Sequence, residues 1–209
     1  MATPRSIATR TRLLEAARDV IRAQGYAATT VDDICAAAGV TKGSFFHHFP
    51  SKDQLGLAAI ARFNETAAAM FGAAPYSANP DPRDRVFGYL GFRASLLTRD
   101  IVQFTCLLGT MVQEIHVTHP DLRAACEQGM SEHVAELTRD IEAAKRLYAP
   151  DASWSAESVG YFMQSVLQGA FIFTKAKQDP AVAVESLGHL RRYLETLLGR
   201  PDNRKETGS

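Results

Sequence analysis

The stretch that decides the fold is Thr30-Val31-Asp32-Asp33-Ile34-Cys35-Ala36-Ala37-Ala38-Gly39-Val40-Thr41-Lys42-Gly43-Ser44-Phe45-Phe46-His47-His48-Phe49. Thr30 with Asp33 forms a capping box for a short helix that ends at Gly39. Glycine there can take the left-handed backbone that a bulkier residue resists. Thr41 caps a second short helix running to about His48. Two short helices around a glycine turn make a helix-turn-helix. Val31, Ile34, Cys35 and Ala38 form the inner face of the first helix, closed from the other side by Val40, Phe45 and Phe49. Thr41, Lys42, Ser44, Phe46, His47 and His48 stay outside. Such small, polar or cationic groups suit base edges and phosphates. A glycine-turned hairpin inside any all-α protein is the alternative reading of the pattern alone.

Outward from this motif the chain reads as helix almost throughout. Thr3-Pro4 starts a helix carrying Leu13, Leu14, Ala17, Val20 and Ile21 at helical spacing, with Gly25 as its stop. Ser51-Lys52-Asp53-Gln54 opens another, through about Phe71. Residues 73–82, with three prolines, form a loop. Helices are then expected at about 83–98, 101–117, 120–148, 156–177 and 180–198, the last capped by Asp179. The fold class is all-α with about nine helices: a three-helix helix-turn-helix domain at 1–50, a larger helical domain at 51–199, to which the resemblance given below assigns ligand binding and dimerisation, and a flexible tail at 200–209.

With 209 residues, 46% hydrophobic and 22% charged, the composition is that of an ordinary globular protein. No apolar run reaches the roughly 18–20 residues of a membrane span, and no secretory signal is evident, so a cytoplasmic protein without membrane partners is expected. Cys35, Cys106 and Cys126 are widely spaced and show no metal-ligand rhythm. Net charge is zero, yet residues 1–52 carry seven Lys/Arg against four acids, with His47 and His48 in reserve. A basic head on an acidic body fits a chain whose head alone meets phosphates.

The residues also resemble a known family. Thr29-Thr30-Val31-Asp32-Asp33-Ile34, Ala37-x-Gly39-Val40-Thr41-Lys42-Gly43-Ser44-Phe45 and His48-Phe49-x-Ser51-Lys52-x-x-Leu55 are similar to the TetR/AcrR signature over about the first 55 residues. The resemblance implies an Ω-shaped homodimer held by the last two helices of each subunit. It also implies a ligand pocket in the C-terminal helices whose occupancy moves the heads apart. It assigns Thr30 to capping and phosphate contact, and Thr41, Lys42, Gly43 and Ser44 to the groove-facing start of the recognition helix. His47, His48 and Lys52 take backbone-contacting positions, and Arg5 and Arg10 are placed to reach phosphates. Phe46 stands where the family usually has tyrosine. Phenylalanine cannot donate to phosphate, leaving it a thymine methyl or a sugar. The partner expected is double-stranded DNA with a palindromic operator, read by two helices about 34–36 Å apart.

In the C-terminal half, Phe92, Phe104, Leu108, Met111, Phe162 and Phe171 fall on apolar faces, with Gln113, His116, Gln164 and Gln168 as polar groups among them. Core packing is the default for such residues; convergent polar groups favour a pocket for a small, mostly apolar inducer. Gly160, Ser165 and Gly169 would admit a close partner helix, and Leu187, Leu190 and Leu194 belong to an apolar stripe on the final helix. Both sets are candidates for the dimer interface. Cys106 lies among apolar neighbours, which argues against a thiol that senses electrophiles. No phosphate loop, nucleophile elbow or metal signature appears. Glu114, Glu132 and Glu136 are expected on solvated helix faces. No enzyme activity, cofactor or metal is expected. The alternatives to a ligand-released repressor are a DNA-binding regulator without a small-molecule ligand and a thiol-based sensor.

Overall fold

The computed structural model describes residues 3–200. Beyond Arg200, the tail expected at 200–209 lies outside the described residues. Ten α-helices and a single 3-10 turn (Pro75–Ala78) account for the elements among the described residues: α1 (Pro4–Gln24), α2 (Val31–Ala38), α3 (Lys42–His48), α4 (Lys52–Gly72), α5 (Pro82–Leu96), α6 (Ile101–Phe104), α7 (Leu107–Ile115), α8 (Pro120–Tyr148), α9 (Ala156–Lys177) and α10 (Ala181–Leu198). The chain is all-α, as the spacing predicts.

Most helix ends obey the caps legible in the sequence. Thr3 Oγ1 accepts from Ser6 N with Pro4 opening α1. Ser51 Oγ accepts from Gln54 N at 3.1 Å at the start of α4. Two places differ. The single helix expected over 101–117 is broken at Thr105-Cys106, where the Cys106 Sγ accepts from Gly109 N and caps α7. Pro180, not Asp179, occupies the cap position of α10, although Asp179 Oδ1 accepts from Ala181 N at 2.9 Å.

The helices divide into two compact units, and the division falls inside α4 and α8 and between α6 and α7. The first unit extends to Ala69 and includes Thr105–Ser131. Its core joins Leu13, Ala17 and Ile21 of α1, Ile34 of α2, Phe45 of α3 and Leu55 and Ile60 of α4 to Leu107, Met111 and Ile115 of α7 and Leu122 and Cys126 of α8. The second unit comprises Met70–Phe104 and the chain from Glu132 onward. Its interior is built by Val86, Phe87 and Leu90 of α5, Met163 and Leu167 of α9, and Leu187, Leu190 and Leu194 of α10. Within it, α10 packs on α9 and α5.

Candidate nucleic-acid interface

The helix-turn-helix is assembled by side chains that face inward. Phe45, Ile34 and Leu13 have no exposed surface. The Phe45 ring meets Phe46 edge-on at 5.1 Å and Phe49 at 6.1 Å. At the start of α2, Thr30 Oγ1 accepts from Asp33 N at 3.1 Å while Asp33 Oδ2 accepts from Thr30 N at 2.9 Å, a reciprocal capping box. These bonds from Thr30, with another from Gln24, hold the exposed Asp33 carboxyl below its ordinary pKa. Gly39 takes φ +62° and ψ 44°, the left-handed geometry the turn requires. Thr41 Oγ1 accepts from Ser44 N at 3.2 Å and caps α3. Thr30→Ala removes one cap and is expected to cost about 1 kcal/mol in chemical denaturation; an unchanged midpoint would show that the box contributes nothing.

With the core on one side, the opposite face of α3 is solvent-exposed at Thr41, Lys42, Gly43, Phe46 and His47, with Ser44 and His48 half-buried. A Cβ on Gly43 would meet nothing closer than ordinary contact, so its bareness keeps backbone open to a close-approaching partner. Lys42 Nζ rests 3.0 Å from Asp32, with both side chains more than half exposed. Such a pair is weak and can open to a phosphate. Burial first, then the nearby His47 and Arg10, push the His48 pKa below the ordinary imidazole value. Arg5 is exposed in the first turn of α1, and the exposed Arg10 lies over the Phe49 ring at 5.2 Å.

Lys52, expected to contact the DNA backbone, is tied into the protein by its own hydrogen bonds. Its Nζ donates to Tyr26 O and Thr29 O, each at 3.0 Å, and sits 4.3 Å from the Tyr26 ring centre. Two of its three protons are therefore spent holding the α1–α2 turn. That turn carries further residues that sequence reasoning missed. The Tyr26 hydroxyl donates to Asp53, which with burial raises its pKa. His119 meets Tyr26 edge-on at 5.5 Å and Asp53 at 3.9 Å. Glu114 is exposed, as expected, and also accepts from Ala27 N at 2.7 Å. No local signal betrays that contact, because 87 residues separate its partners.

The residues expected to line a pocket divide between the two units. Leu108, Met111, Gln113 and His116 belong to the first unit. Leu108 and Met111 are buried in its core, Gln113 Nε2 folds back onto Gly109 O at 2.6 Å, and His116 is exposed. Phe92, Phe104, Phe162, Gln164, Gln168 and Phe171 belong to the second unit. There Gln164 Nε2 donates to the Tyr89 hydroxyl at 2.8 Å, which lies 3.0 Å from His133 Nε2. Phe104 meets Phe171 at 5.9 Å. Gln168 is half-buried. Phe162 lies instead on the surface, meeting Tyr193 edge-on at 4.9 Å.

The dimer candidates sort just as unevenly. Leu187, Leu190 and Leu194 are buried within the protomer, since the stripe of α10 turns toward α9 and α5. Gly160 is buried against Thr138 and Val134 of α8. Ser165 is exposed, and a side chain on Gly169 would enter open space. What α9 and α10 do expose is Tyr161, Phe162, Ile172, Phe173, Val184 and Tyr193.

The cysteines show no activation. Burial raises the Cys35 thiol pKa, and burial together with nearby Cys106 pushes Cys126 up to about 12. Cys106 is half-buried at the cap of α7. Among the described residues no cluster of His, Cys, Asp or Glu could hold a metal, and no helix is long and apolar enough to cross a membrane.

Residues 13–59 match the family described as bacterial regulatory proteins, tetR family, and residues 82–190 match the tetracyclin repressor-like C-terminal domain. The chain belongs to the TetR family. The transcriptional regulator AcuR of Cereibacter sphaeroides is 29% identical over 174 residues, covering 80% of this chain and 77% of AcuR. The HTH-type transcriptional repressor NemR of Escherichia coli is 21% identical over 188 residues, covering 90% and 94%. Among solved structures, a TetR regulator from Chloroflexus aurantiacus superposes with a TM-score of 0.83 at 22% identity, over 94% of this chain and 98% of that one. The TetR family is one of DNA-binding transcriptional regulators, so the exposed face of α3 belongs to a DNA reader. TetR regulators bind operators as dimers, and their family is not enzymatic.

Proposed function

We propose that this TetR-family regulator is a cytoplasmic repressor that occupies a palindromic operator as a homodimer and leaves it when a small, mostly apolar ligand binds. The carrying observation is the face of α3, where Thr41, Lys42, Gly43, Ser44, Phe46 and His47 stand clear of a core closed by Phe45. One seven-residue helix reaches few bases, so two-fold pairing on half-sites one helical turn apart is the economical solution. Arg5 and Arg10 supply phosphate contacts beside it, Thr30 presents its cap toward the backbone, and Lys52 works from behind by holding the α1–α2 turn.

In this reading residues 1–50 read DNA, and residues 51–199 bind the effector and dimerise. The exposed part of α9, with Phe162, Ser165, Gly169 and Ile172 at spacings of three and four, pairs with its copy. Glu114 adds a charged hydrogen bond from α7 to the α1–α2 turn, beside the core that α7 shares with α1, α2 and α3, so a displacement of α7 is felt by the reading head.

The test begins with selection of bound sequences from a random DNA pool. On the selected operator, Lys42→Ala and His47→Ala are each expected to weaken binding about tenfold or more, with thermal unfolding unchanged. Lys42→Ala should also lower the salt slope by about one. Wild-type affinity in both variants would move the DNA-reading face elsewhere.

A further inference from the structure

Within the second unit one cation stands out. Arg93 on α5 is half-buried, with its guanidinium 5.5 Å from the Phe71 ring centre and 5.3 Å from that of Phe171. None of its five N–H donors meets an acceptor among the described residues. Two turns earlier on the same helix, Arg85 is tied by its Nε to Asp140 at 2.8 Å and by its Nη1 to the carbonyls of Asn79 and Pro80. Asp140 is thus spent, and Glu136 faces His133 Nδ1 at 3.9 Å. Arg93 is left to aromatic faces alone.

Its surroundings are largely apolar. Phe92 meets Phe71 at 5.8 Å and Tyr76 at 5.9 Å, and Phe71 meets His133 at 5.0 Å. Burial and then the Arg93 charge push the His133 pKa down to about 4, so this imidazole is neutral at pH 7 and adds no second cation. Attraction to ring faces holds a guanidinium in place without using its N–H fork. A fork so held matches the planar, bidentate geometry of a carboxylate. The carboxylates of Asp140 and Glu136 lie near the same cluster, so the excess positive charge there is small and favours a singly charged group over a phosphate dianion.

We propose that the effector of this regulator is an organic monocarboxylate, its charge taken by the Arg93 fork and its apolar body by the rings of Phe71, Phe92 and Phe171. This rests on the ligand-released reading above and narrows it to a chemical class.

The test uses the full-length protein, the operator selected as above, and three acids (benzoate, phenylacetate and cinnamate) beside their uncharged amides. Binding is read by calorimetry and operator release by fluorescence anisotropy. At least one acid is expected to bind and release the operator, its amide binding about tenfold to hundredfold more weakly, as befits loss of a charge-assisted pair. Arg93→Gln should abolish the preference for acid over amide while keeping operator affinity, which shows that the variant folds. Arg93→Lys, with charge but no fork, should recover part of it. Amides that bind and release as well as acids, or an Arg93→Gln variant that still prefers the acid, would overturn the carboxylate assignment and leave the ligand-released reading intact. Failure of every acid and amide at millimolar concentration overturns the assignment too. A broader set of neutral hydrophobic compounds then decides the wider reading, which falls if none releases the operator.

Discussion

Ile172→Glu is expected to turn the dimer into a monomer in sedimentation and to reduce operator affinity by about a thousandfold or more. Ile172 is 49% exposed on α9 in the single chain, in line with Phe162, Ser165 and Gly169. An apolar stripe of this extent, left open by a protomer whose α10 leucines already point inward, calls for a covering surface. In a two-fold interface each substitution occurs twice. An unpaired carboxylate forced into apolar contact costs on the order of several kcal/mol per ion, and each 1.4 kcal/mol is a factor of about ten. Thermal unfolding of the helices should persist, because Ile172 supports nothing within the protomer that its exposed position would lose. A variant that sediments as a dimer would show that the pairing surface lies elsewhere. A monomer with undiminished operator affinity would separate dimerisation from DNA reading.

The same contrast shows how far the sequence could be followed. The caps at Thr3, Thr30, Thr41 and Ser51 and the left-handed Gly39 were legible because each depends on one side chain and its near neighbours. The break at Thr105-Cys106 was not, since Phe104, Leu107, Leu108, Met111 and Ile115 keep a helical rhythm straight through it. No proline or glycine marks the place, and the cap is a cysteine sulfur, a weak acceptor. Periodicity told that α10 has an apolar face, but not whether α9 of the same chain or of another covers it. Leu187, Leu190 and Leu194 therefore turned out internal, while Ile172, Phe173 and Tyr193 hold the surface. The tertiary partners of Lys52 and Glu114 were not legible for a related reason: they are backbone groups 23, 26 and 87 residues away, and nothing near either side chain in sequence announces them.

Phe45 and Phe46 are neighbours in the chain, and opposite effects of truncating them give the sharpest check on the orientation of the recognition helix. Phe45→Ala should cost about 3–5 kcal/mol, the usual range for emptying a fully buried aromatic site. That is a large share of the roughly 5–15 kcal/mol by which a native protein is stable. Phe45 touches both Phe46 and Phe49 and closes the core from which α2 and α3 hang, so the loss falls on the part that meets DNA. Operator binding should disappear together with protection of the α2 and α3 amides from hydrogen exchange, while amides in α9 and α10 stay protected. Phe46→Ala removes a ring that is half exposed and should shift stability by less than about 0.5 kcal/mol. Its effect is expected on affinity and sequence preference, because in the proposed reading the exposed ring meets DNA and, lacking a polar group, has only apolar or sugar surface to touch. If Phe46→Ala unfolds the head and Phe45→Ala spares operator binding, the helix is rotated from the orientation described, and Lys42 and His47 would no longer face DNA.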